Sequence, residues 1–154
     1  MASLDIIDRK LLAELQAEGR VTNVDLAARV GLTAPPCLRR VRALEESGTI
    51  RGYHADLDGA KLGFSITVFA MVSLRSQAEE SLRQFEEHMR ALPEVRECHM
   101  LNGEIDFILK IVSKDLQSFQ EFLTSKLTPA PNVASVKTSL TIRTAKQLPG
   151  VPLD

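Results

Sequence analysis

Residues 31–48, "GLTAPPCLRRVRALEESG", decide how the first third of this chain reads. Leu38, Val41 and Leu44 recur at helical spacing, and Gly48 stands where a C-terminal cap belongs. With Val41 at the centre of the buried side and about 100° per residue, Cys37, Leu38, Leu44 and the stem of Glu45 fall within about 60° of it. Arg39 and Ala43 then lie nearly opposite the core, with Pro36 close by, while Arg40 and Arg42 flank that outer face. One side is apolar and the other presents guanidinium groups. Pro35 and Pro36 suit the first helical turn, whose N–H groups have no intrahelical partner and whose φ proline presets. With Thr33 as N-cap the prolines are N2 and N3, the positions that Thr33 would otherwise bond. Its hydroxyl is thereby free for another group, such as a phosphate.

Upstream, Asp5 caps a first helix with Ile7, Leu11 and Leu15 on one face, and Gly19 ends it. Thr22 and Asp25 approximate a capping box for a second helix, with Leu26, Ala27 and Val30 pointing inward and Gly31 closing it. Two helices joined by a tight Gly-containing turn form a helix-turn-helix, whose second helix enters the DNA major groove by its N-terminal part. Arg39 is placed for a base edge, since guanidinium pairs bidentately with guanine. Arg40 and Arg42 sit at angles suited to the phosphates on either wall. Thr33, Pro35 and Pro36 form the leading tip.

Overall charge does not announce such a partner. The 154 residues carry a net charge of −1, so the signal has to be local. Between Arg29 and Arg51 five arginines face two glutamates, a net of +3. Apolar content of 44% with 25% charged residues is ordinary for a globular protein. No apolar run approaches the roughly 18 residues of a membrane span. The start, "MASLDIIDRK", has no apolar signal region, and the two cysteines lie far apart, so a cytoplasmic protein without a disulfide framework is expected.

Beyond the third helix, residues 49–56 ("TIRGYHAD") read as a short strand and 56–63 as a linker. Phe64, Ile66, Val68, Ala70, Val72 and Leu74 then alternate as a strand with one apolar face. Ser76 and Glu79 spell a capping box for a helix with Leu82, Phe85, Met89 and Leu92, stopped at Pro93. Residues 95–101 and 105–112 form strands joined by Asn102-Gly103, a hairpin signal with glycine at positive φ. Asp115 opens a last helix that Pro129 stops, and residues 133–142 make the final strand. The order β-α-β-β-α-β is a ferredoxin-like α+β domain with both helices on one sheet face. Phe69, Met71, Ile108 and Val112 make the other face partly apolar, which calls for a second subunit over it. The expected division is a helix-turn-helix domain with linker strand at 1–60, a ferredoxin-like effector-binding and oligomerisation domain at 61–146, and a tail at 147–154.

The segments "LDIIDRKLLAELQAEGR" (4–20), "NVDLAARVGLTAPPCLRRVRALEESGTIRGY" (23–53) and "PEVRECHMLNGEIDFILK" (93–110) resemble the leucine-responsive and asparagine-responsive regulators, the Lrp/AsnC family. The likeness spans nearly the whole chain. It implies a sequence-specific DNA-binding transcriptional regulator that binds double-stranded DNA, forms homodimers and then octamers, and answers to an amino-acid effector held near subunit contacts. Asn102-Gly103-x-x-Asp106 stands where the family commonly has Thr- or Ser-Gly-x-x-Asp. The resemblance therefore assigns the effector to Leu101, Asn102, Gly103, Glu104, Ile105 and Asp106. Asp106 can accept from a ligand ammonium, and backbone N–H groups around Gly103 can donate to its carboxylate.

Enzyme signatures are sparse. The chain has no P-loop, GxGxxG or GxSxG, and its histidines (54, 88, 99) lack metal-ligand spacing. No catalytic residue, metal site or cofactor is expected. The rival reading is a sirohaem decarboxylase-like tetrapyrrole enzyme of related fold, which His99 keeps open. The outward arginines of the third helix count against it.

Overall fold

A computed structural model describes residues 4–153. The chain divides into two compact units. One comprises the residues up to Asp56 together with the segment from Lys146, and the other runs from Leu57 to Ala145.

The first unit holds α1 (Ile6–Ala17), α2 (Asn23–Val30) and α3 (Ala34–Glu46). Asp5 caps α1 through a reciprocal box with Asp8, and the Thr22 hydroxyl accepts from the Asp25 N–H. Gly31 ends α2 at φ 73°, the left-handed conformation that only glycine adopts cheaply, and the chain turns into α3. Leu11, Leu26, Ala27, Cys37, Val41 and Leu44 form the core. Leu38, expected at the margin of that core, stays 39% exposed. The buried stripe lies to one side of Val41, through Cys37 and Leu44, and Leu38 is about 60° away on the other side.

Residues 49–56 form no strand. A strand exists only through a ladder, and the four strands among the described residues all lie in the second unit. The final segment is not a free tail. The Gln16 amide donates to the Val151 carbonyl at 2.7 Å and accepts from the Val151 N–H at 3.0 Å. Gly150 makes this possible: its φ is 68°, and a Cβ there would stand 1.9 Å from Gln16 Oε1.

The second unit contains β1 (Ile66–Leu74), α4 (Glu79–Arg90), β2 (Val95–Met100), β3 (Phe107–Ser113), α5 (Leu116–Phe122) and β4 (Val133–Leu140). The sheet order is β2-β3-β1-β4, antiparallel at each of the three pairings, as expected for the ferredoxin-like arrangement. Val72, Phe107, Leu109 and Ile111 point to the helix side, where Phe85, Met89, Phe122 and Leu127 complete the core. The opposite sheet face carries Phe69, 37% exposed, with half-buried Met71, Ile108 and Val112. In register, Met71 lies between Ile108 and Lys137.

Two local expectations change. Ser76 does not cap α4, which starts at Glu79 after Ala78, a cap with no side-chain bond to offer; the Ser76 hydroxyl accepts from the Ala78 N–H. Asn132 holds the Ser76 backbone instead, accepting from its N–H and donating to its carbonyl, so Ser76 stays outside the helix. The β2–β3 connection is not a two-residue turn. It runs from Leu101 to Asp106, closed by the Leu101 N–H donating to the Asp106 carbonyl at 2.8 Å. Gly103 is not among the positive-φ residues.

Candidate functional site

The first candidate surface is the outer side of α3. Thr33 is its N-cap, with extended backbone and no side-chain cap bond, because Pro35 and Pro36 follow in the first turn. Thr33, Pro35, Arg39 and Arg42 are exposed, and Pro36 is half-buried. Pro35, Leu38, Arg39, Arg42, Ala43 and Glu46 line a shallow depression along the helix. Among the described residues neither Arg39 nor Arg42 enters an ion pair or side-chain hydrogen bond. Asn23, which the sequence reading passed over, fixes the tip of α3 by donating from its amide to the Ala34 carbonyl at 2.9 Å.

Arg40 departs from expectation. Its Nη1 donates to Asp5 Oδ2 at 2.7 Å and to Asp8 Oδ1 at 2.8 Å, so this guanidinium is engaged with α1 rather than standing free at a groove wall. The reason is angular: the buried stripe of Cys37, Val41 and Leu44 lies on Arg40's side of Val41, so Arg40 borders the core and reaches the start of α1, whereas Arg42 lies on the far side. The Asp8 backbone N–H and then Arg40 hold the Asp5 carboxyl below its ordinary range. Arg29 is similarly occupied, bridging Glu18 and Glu14. Tyr53 donates its hydroxyl to Glu45, and burial together with that carboxylate pushes its pKa up to about 12.

The second candidate is the loop from Leu101 to Asp106. Leu101, Asn102, Gly103 and Glu104 are exposed, while Ile105 and Asp106 are half-buried. Each carboxylate oxygen of Asp106 already accepts one hydrogen bond. Oδ2 accepts from the Leu74 N–H at 2.7 Å, and Oδ1 accepts from the Gln77 amide at 3.1 Å. Its own N–H donates to the Val72 carbonyl at 3.0 Å. The loop thus grips the end of β1, and Gln77 joins the candidate site although nothing in its local sequence marks it.

The remaining histidine and cysteine candidates separate. Cys98 faces Leu109 on the core side, where burial, with Glu86 nearby, pushes its thiol up to about 11. His99 faces Ile108 on the open side and bonds Glu97, which also accepts from Lys110. Among the described residues no helix is long and apolar enough to cross a membrane, and no grouping of three His, Cys, Asp or Glu side chains could hold a metal ion.

Known proteins match both units. Residues 4–51 fit the family model for winged helix-turn-helix DNA-binding, and residues 67–151 the model for the Lrp/AsnC ligand binding domain. A leucine-responsive regulatory protein of Rhizobium meliloti is 52% identical over 143 residues, 93% of this chain and 92% of that one. The Bkd operon transcriptional regulator of Pseudomonas aeruginosa is 42% identical over 99% of this chain and 100% of its own. A transcriptional regulator of Neisseria meningitidis, solved as a complex with L-Met, superimposes with a TM-score of 0.94 at 35% identity, covering 99% of this chain and 98% of that one. With a helix-turn-helix unit ahead of a ferredoxin-like ligand-binding unit, and relatives of this closeness over its whole span, the chain belongs to the Lrp/AsnC family of DNA-binding transcriptional regulators.

Proposed function

We propose that this regulator works in the cytoplasm, without catalysis, as a homodimer that assembles further. It sets α3 of each protomer into the major groove, tip first. Thr33, Pro35 and Pro36 lead, Arg39 reads a base edge and Arg42 holds a phosphate. The observation that carries this reading is the outer face of α3, where two arginines have no side-chain partner among the described residues, beside an N-cap hydroxyl that makes no cap bond. Groups left unbonded on a helix edge suit a partner that brings acceptors of its own. The half-exposed apolar side of the sheet supports dimerisation through the second unit.

The effector in this proposal is an amino acid held at Leu101–Asp106. Its ammonium bonds Asp106, and N–H groups around Gly103 meet its carboxylate. The L-Met complex of the Neisseria meningitidis relative supports that ligand class. Asp106 can take part only by sharing an oxygen or by releasing Gln77, so ligand binding has a built-in route to moving the end of β1. Different affinity for two arrangements is what couples ligand to DNA.

The test is selection of bound duplexes from a randomised library. Arg39→Ala should cost about 1–3 kcal/mol at the preferred sequence and relax one base position. Arg42→Ala should weaken all sequences alike and lower the salt slope by about one unit. An unchanged motif with Arg39→Ala refutes the base contact.

A further inference from the structure

Arg40 has no place at the DNA in the proposal above, and its surroundings supply another role. Asp5 Oδ1 accepts from the Asp8 N–H at 2.8 Å, and Asp8 Oδ2 accepts from the Asp5 N–H at 3.2 Å. This reciprocal cap uses one oxygen of each carboxylate and fixes both side chains against the start of α1. The two remaining oxygens, Asp5 Oδ2 and Asp8 Oδ1, converge on one nitrogen, Arg40 Nη1, at 2.7 and 2.8 Å. The cap of one helix is thus a socket for a side chain halfway along another.

Elsewhere α3 is held by packing and by the Asn23 amide bonded to the Ala34 carbonyl in its first turn. Its buried side consists of Cys37, Val41 and Leu44, with Leu38 largely outside. The packing of these three side chains opposes a large rotation, but it supplies no directional bond on the flank of the helix. A guanidinium held by two fixed carboxylates is directional. At roughly 6 Å from the axis, a 20° rotation displaces a group by roughly 2 Å, enough to break hydrogen bonds at a base edge. Arg39 and Arg42 flank Arg40 and share any such rotation. We infer that Arg40 is a positioning residue: through it the Asp5–Asp8 cap sets the rotation of α3 and so aims Arg39 and Arg42 at the DNA. The inference rests on α3 being the groove helix and deepens that reading.

Asp5→Asn is the decisive variant. Asparagine keeps an oxygen for the Asp8 N–H, so the cap survives, but it turns an NH₂ group toward Arg40. The change also removes a negative charge from the DNA-binding unit, so long-range electrostatics alone would tighten binding to a polyanion. Loss of aim acts in the opposite direction. Affinity for a duplex that the unaltered protein selects from a randomised library should fall roughly threefold to tenfold, the reach of one or two such pairs. The slope of log K against log salt should stay unchanged because no phosphate contact is lost. Arg40→Ala should show at least as large a loss, because it removes both pairs and a positive charge, with the slope unchanged, and adding Asp5→Asn to it should weaken binding no further.

All measurements are made in full-length protein at a temperature where circular dichroism shows every variant folded. Unchanged or tighter binding by Asp5→Asn overturns the proposal. So does an Arg40→Ala slope smaller by about one unit, which would make Arg40 a phosphate contact. Arg39→Ala distinguishes the two levels. If it relaxes base choice while Asp5→Asn binds as before, only the positioning role is lost. If Arg39→Ala also binds as before, the groove assignment of α3 fails and the positioning role with it.

Discussion

The two units leave different things unfinished. In the first, the core of α3 is enclosed and cations are left over: Cys37, Val41 and Leu44 are buried while Arg39 and Arg42 face outward with no side-chain partner among the described residues. In the second, the reverse holds. The acid of the loop is satisfied by Leu74 and Gln77, and what remains open is the sheet face around Phe69 and Met71. An unfinished cationic edge invites a polyanion, and an unfinished apolar face invites another protein surface. The effector loop is a third case: a ligand there would share oxygens that already accept one bond each.

The strongest way to break this contrast is to charge the open face. Met71→Arg sets a cation directly opposite Lys137, which cannot neutralise it, whereas a glutamate there would find Lys137 as a partner. In a dimer packed through this face the cost should be on the order of 3–5 kcal/mol, seen as monomer in sedimentation at micromolar concentration. A dimeric Met71→Arg protein would move the interface elsewhere.

The loop offers a smaller effect with two signs. Asp106→Ala strips the Leu74 N–H of its acceptor, so the second unit should lose about 1–3 kcal/mol and the amino acid should no longer alter DNA binding. Gln77→Ala removes only a competitor for Oδ1. Calorimetric titration of L-Met should then show binding tighter by about 1 kcal/mol. Weaker binding by Gln77→Ala would mean that Gln77 is itself a ligand contact.

The smallest effect probes the first unit without touching its cations. The raised Tyr53 pKa means that the folded state favours the neutral phenol. Stability from this group is complete below the unfolded value near 10 and is lost as pH climbs toward 12. Tyr53→Phe should flatten the decline of thermal stability over that interval. An unchanged decline would assign it to other groups.

What could be read from the chain follows from how far apart the determinants lie. Asp5, Thr22 and Asp115 cap their helices as their local sequence predicts, and Thr33 leaves its cap unmade because its own neighbours are prolines. These outcomes depend on residues within one turn. The alternation through β1 and the strand order follow from periodicity and topology. The departures depend on residues brought together from a distance: Arg40 meets Asp5 and Asp8, Ser76 meets Asn132, and Asp106 meets Leu74 and Gln77. The helical wheel marks Arg40 as a flank but contains no information about α1. Residues 49–56 have the composition of a strand and lack a neighbouring one. The candidate site is accordingly best legible at the tip of α3 and least legible at the loop, where Gln77 carries no motif.

The pairing of Gln16 with Val151 has a consequence for the order in which the protein is made. The three helices of the first unit leave the ribosome early, but the segment that docks on α1 is translated only after the whole second unit. A nascent chain can therefore hold a folded helix-turn-helix whose partner at Val151 does not yet exist, and that contact forms only after the ligand-binding unit has been translated.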